Sequence, residues 1–147
     1  MPPLSNLHLV PVLQTAVGPA ILISGVGLLL LTMTNRLGRV IDRARALAAS
    51  AAEPDPGIEE QLSVLWARAK LLRRAILFAA ASALLASLLV ILLFLSVLLG
   101  VEGAWLLGTV FIASLLCLIA SVVLFILDVN RLLGALGLEL KPHRLPE

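Results

Sequence analysis

The side chains of this sequence that could bind, ionise or react gather in three short stretches, each beside a long apolar run. Asn35, Arg36, Arg39, Asp42, Arg43 and Arg45 follow the first run. Arg68, Lys70, Arg73 and Arg74 precede the second, and Asp128, Asn130 and Arg131 follow the third. Guanidinium and ammonium groups in such places hold anionic lipid headgroups and set the orientation of helices in a membrane. They also offer ion pairs. Asp42 stands three residues from both Arg39 and Arg45, one helical turn away on either side, and Asp128 is placed to reach an arginine of a neighbouring helix. Together these pairs would form a polar network holding three helices, or two copies, in register. In several copies set around an axis, the same arginines would instead line a cytoplasmic vestibule that favours anions.

The other reactive residue types do not converge. His8 is expected outside the membrane, His143 inside and Cys117 in the middle of the third apolar run, so they cannot meet around a metal, and no serine or cysteine has a histidine to activate it. Each apolar run lacks Asp, Glu, Lys, Arg and His, which disfavours a proton relay across a membrane. These absences argue against an enzyme and imply no cofactor, no metal and no nucleic-acid partner. The lone Cys117 excludes an internal disulfide, and in apolar surroundings it reads as a small packing residue.

The elements that must position these residues are helices in a bilayer. With 61% hydrophobic and 14% charged residues and a mean hydropathy of +1.09, the chain lies outside the range of water-soluble domains. Its 147 residues allow a single membrane domain with spans over about residues 12–33, 75–99 and 104–127. The N-terminus has neither a basic leader nor a small-residue cleavage site, so the first span is expected to be retained. Pro2 to Pro11 reads as irregular or as a short interfacial helix, and a kink is expected at Gly18-Pro19.

Between the first two spans the apolar stripe continues through Leu37, Val40, Ile41, Ala44, Leu47, Ala48 and Ala51. It resumes at Ile58, Leu62, Leu65, Ala69, Leu72 and Ile76 in alternating steps of four and three, the spacing of a coiled-coil seam. Pro54 and Pro56 force a turn, with Asp55 suited to cap the following helix and Pro56 to begin it. The fold expected is all-α, with three transmembrane helices and a cytoplasmic antiparallel hairpin over about 35–74 formed by extensions of spans 1 and 2. Small side chains suggest where the spans touch: Gly18, Gly25 and Thr32 on the first; Ala75, Ala79, Ala83 and Ser87 on the second; Thr109, Ala113, Cys117 and Ser121 on the third. Trp105 suits the outer aromatic belt, and the tail from Asp128 onward is expected to return to water. Eight Lys and Arg lie between Arg36 and Arg74, none in the loop around Glu102 and three after Leu127. The long segment and the C-terminus should therefore face the cytoplasm, and the N-terminus the outside.

The runs P-A-I-L-I-S-G-V-G, T-N-R-L-G-R-V-I-D-R-A-R and L-L-R-R-A-I-L, and a third span ending in D-V-N-R, resemble a bacterial family of small membrane proteins, the domain of unknown function DUF2721. The resemblance covers about Pro19 to Arg131, and N-R-L-x-R-x-x-D-R from Asn35 to Arg43 is its most specific part. It implies a three-helix protein of the bacterial inner membrane and carries no substrate or reaction. The reading reached from sequence is a non-enzymatic protein that self-associates, or serves as a subunit or scaffold of a larger membrane complex, in contact with the bilayer and its anionic headgroups. The alternative is a homo-oligomeric ion channel with an arginine-lined vestibule.

Overall fold

A computed structural model describes the backbone of residues 6–50, 56–100 and 103–139, and the side chains of 10–49, 57–100 and 103–131. The described chain is three helices, α1 (Asn6–Ser50), α2 (Pro56–Leu99) and α3 (Ala104–Glu139). Each holds a segment long and apolar enough to cross a membrane: Val10–Ala49, Gly57–Leu99 and Ala104–Arg131. A bilayer interior offers no water to satisfy backbone amides, so long uninterrupted helices are the form such runs take. Pro56 opens α2, where its missing N–H has no helical partner to lose. The turn before it, with Asp55, lies outside the described residues. Gly100 ends α2 with a φ of 65°, the left-handed conformation that a helix C-terminus assigns to glycine.

The helices pack in steps of seven. On α1 the buried positions are Pro19, Val26, Met33 and Val40. Facing them, α2 buries Leu65, Leu72, Ala79 and Ala86, again seven apart, and Val40 clusters with Leu65 and Leu72. A second series on α2 buries Ala75, Ser82 and Leu89, and α3 buries Ser114, Ser121 and Asp128, also seven apart. Seven residues bring a helix round to within about 20° of its starting face, so residues at this spacing stay on one side of the helix. The central helix is α2, packed on both neighbours, while α1 and α3 meet at few points.

This geometry corrects the small-residue ladders read from the sequence. A step of four turns a helix about 40° too far each time, so Ala75, Ala79, Ala83 and Ser87 cannot all face one neighbour. Ala75 and Ala79 are buried, Ala83 is half-buried and Ser87 is exposed, while Ser82 and Ala86 take the inner places. On α3, Ser121 is buried, Ala113 and Cys117 are half-buried, Thr109 is exposed and Ser114 is buried instead. Gly18 and Gly25 point away from the bundle, and a Cβ built on either meets nothing within 4 Å. They are not packing positions within one chain. The segment before Pro11, expected to be irregular or a short interfacial helix, is helical from Asn6 and continuous with α1, which holds both Pro11 and Pro19. At the other end α3 continues past Asp128 to Glu139, and Asp128 is fully buried against the bundle.

Candidate functional site

The polar residues inside the bundle form three rungs between α2 and α3, each seven residues from the next on both helices. In the rung at one end, Ser114 Oγ donates to the Ser82 carbonyl at 2.9 Å, and the two hydroxyl oxygens stand 3.3 Å apart. In the middle rung Ser121 Oγ donates to the Ala75 carbonyl at 2.7 Å, with Met33 Sδ of α1 at 3.8 Å. The third rung is charged: Arg68 Nε donates to Asp128 Oδ1 at 3.4 Å. Advancing seven along α2 and retreating seven along α3 moves from one rung to the next, so the rungs mark one antiparallel register. Serine suits the inner pair because its small side chain admits close helix approach and its proton bonds the opposite backbone, where a larger side chain would separate the helices.

The charged rung has an uneven balance. The Asp128 side chain is fully buried and that of Arg68 is 17% exposed, so the cation keeps an edge in solvent and the anion does not. Oδ2 of Asp128 has no hydrogen-bond partner, although a buried carboxylate is stable only when its lone pairs are met. One turn away along α3, Phe125 lies under the Arg36 guanidinium, 5.0 Å from its carbon to the ring centroid. That cation–π contact ties α1 to α3 in the same layer.

The rest of the arginine-rich girdle lies outside this layer of contacts. Asn35, Arg39, Asp42, Arg43, Arg45, Lys70, Arg73, Arg74, Asn130 and Arg131 are exposed. Among the described residues the ion pair is Arg68–Asp128 alone. The bridge expected from Asp42 to Arg39 and Arg45 is not formed. Exposed pairs one turn apart gain only about 0.3–0.5 kcal/mol, which hydration of each charge offsets. Sequence reasoning missed Ser82 and Ser114, and placed Arg68 in the girdle without marking it as the partner of Asp128. The seven-residue spacing of Ser114, Ser121 and Asp128 is the signal that finds them.

Between its N-terminal part and the C-terminal part of α1, α2 leaves a groove of about 640 Å³. Val40, Ala44, Leu65 and Ala69 form its apolar floor, Ile41 and Trp66 its walls, and Arg45, Lys70 and Arg73 its charged edge. Lys70 Nζ lies over the Trp66 ring, 5.6 Å from the centroid. Among the described residues no group of three or more His, Cys, Asp or Glu is placed to hold a metal ion.

No curated protein and no solved structure matches the chain. Residues 16–137 match the family described as a protein of unknown function, DUF2721. That stretch takes in most of the first span, the whole of the other two, the three rungs and the groove, and the chain belongs to the DUF2721 family.

Proposed function

We propose that this protein is a non-enzymatic subunit or scaffold of a membrane assembly, in which copies associate through the outer faces of their spans. We place it in a bacterial inner membrane with the N-terminus outside and the α1–α2 extension and the C-terminus in the cytoplasm. The observation that carries the reading is where the polar side chains of the spans spend their hydrogen bonds. Those inside the bundle hold one helix to the next, as in Ser82–Ser114 and Ser121–Ala75. Five hydroxyls outside bond back to their own helix: Thr15 to Pro11, Thr32 to Leu28, Thr34 to Leu30, Ser87 to Ala83 and Thr109 to Leu106. A hydroxyl bonded to the preceding turn is satisfied in lipid and needs no water-filled path. The interior is thus devoted to register, which leaves the outer surface to do the work of the protein.

The test is copy number. Native mass spectrometry of the full chain released from nanodiscs is expected to show a defined oligomer, and planar-bilayer recordings of that oligomer no reproducible conductance. A monomer at every protein-to-lipid ratio would overturn self-association. A conductance whose ion selectivity reverses in Arg36→Glu with Arg39→Glu would replace the scaffold by the channel with an arginine-lined vestibule.

A further inference from the structure

We infer that the groove between α1 and α2 is a docking site for an acidic amphipathic helix of a partner protein. The inference rests on the reading of the chain as a subunit of a membrane assembly, and it names the chemistry of one partner. Three observations carry it. Trp66 is 66% and Ile41 37% exposed beside the groove, which in the proposed topology lies past the spans at about 12–33 and 75–99. The groove has a volume of about 640 Å³ over a lining mostly of apolar side chains. On α2 it runs from Leu62 to Arg73, about 17 Å at 1.5 Å per residue, or three turns of a helix lying along it.

Charge then selects the occupant. The charged groups of the lining are Arg45, Lys70 and Arg73, with no carboxylate among them; Asp42, Glu59 and Glu60 stand exposed outside it. Arg73 is two residues from the start of the charge-free run at Ala75, whereas Arg45 is on the part of α1 farther from its span, so the positive charge marks both ends of the groove. One lipid phosphate could meet only one end. A second copy laid in the same groove would set basic edge against basic edge. A helix with an apolar stripe and acidic residues at both ends satisfies floor and edges together, in the manner of other helix-in-groove interfaces.

Trp66 provides the readout. The chain has two tryptophans, and Trp105→Phe leaves Trp66 as the single emitter. The full chain in nanodiscs would be titrated with a designed peptide of about four turns, bearing Leu at alternating three- and four-residue steps and Glu at both ends, and with its Lys-ended counterpart. The expected result is a saturable blue shift of Trp66 with the Glu-ended peptide. Its affinity should be at least about tenfold above that for the Lys-ended peptide, since a few exposed ion pairs at up to about 1 kcal/mol each reach that ratio. Arg45→Glu with Arg73→Glu should invert the preference, and the wild-type titration stands even where that variant folds poorly. Equal response to both peptides, or none, overturns the proposal. So does a shift caused without peptide by anionic but not zwitterionic nanodiscs, which assigns the groove to lipid, or by raising the copies per disc, which assigns it to self-contact. Loss of the oligomer with a normal peptide titration would instead overturn self-association and leave the groove standing.

Discussion

Arg68 of α2 holds the fully buried Asp128 of α3 through one long hydrogen bond, Nε to Oδ1 at 3.4 Å, while Oδ2 has no partner. Charge-assisted bonds between guanidinium and carboxylate usually close to about 2.7–2.9 Å and are often two in number. This one is neither short nor double, yet it occupies the rung that continues Ser82–Ser114 and Ala75–Ser121 at the same spacing. Its position, more than its strength, gives it a role. A buried charge pair contributes little net stability but penalises any arrangement that separates the partners. A one-residue slide or rotation of α3 on α2 would strand the Asp128 carboxylate.

The register makes a prediction from two serines five residues apart. Ser82→Leu inserts a large side chain between α2 and α3 and should cost about 1–3 kcal/mol, as overpacking does. Ser87→Leu, on an exposed face of the same helix, should leave the thermal unfolding temperature unchanged. Equal losses for the two variants would mean that the buried face of α2 is misassigned.

Gly25 separates the fold of one chain from the association of several. A Cβ there meets nothing within 4 Å, so Gly25→Leu should leave the stability of the dilute, detergent-solubilised chain within about 0.5 kcal/mol of wild type. The same substitution should weaken self-association in nanodiscs, where small residues on the outer face of a span allow close helix approach. Unfolding of the dilute variant at a lower temperature would contradict the outward placement of this face.

Topology is tested by cysteines in a Cys117→Ala background. Asp55→Cys and Glu102→Cys should react with an impermeant maleimide from opposite sides of the membrane, Asp55→Cys from the cytoplasm, because basic residues concentrate between Arg36 and Arg74. Labelling of both from one side would refute the arrangement of three spans.

Much of this fold is legible in the sequence because a bilayer makes few demands and makes them plainly. Three uncharged runs of sufficient length give three helices, and the alternating steps through Leu65 and Leu72 give the α1–α2 seam, where both are buried with Val40. The inner faces of the spans were harder to read because inside and outside are equally apolar there. Leu84 is 71% exposed and Leu89 is 4% exposed, and no difference in hydropathy separates them. What separates them is rotation, and a ladder of small residues in steps of four drifts round the helix while a step of seven does not. Arg68 differed from its neighbours for the same reason: Lys70, Arg73 and Arg74 are of like charge, but only the angular position of Arg68 brings it to Asp128.

The most direct test of the claim that the polar interior serves register is a double-mutant cycle on the charged rung, measured by reversible unfolding in mixed micelles. Arg68→Met leaves a buried carboxylate unpaired and should cost about 3 kcal/mol or more. Asp128→Leu should cost less, since Arg68 is 17% exposed and can turn its guanidinium outward to water. The double variant should recover most of the larger loss and keep the copy number of the wild type. Losses that add, with no recovery in the double variant, would show that Arg68 and Asp128 do not act as a pair and would contradict the account.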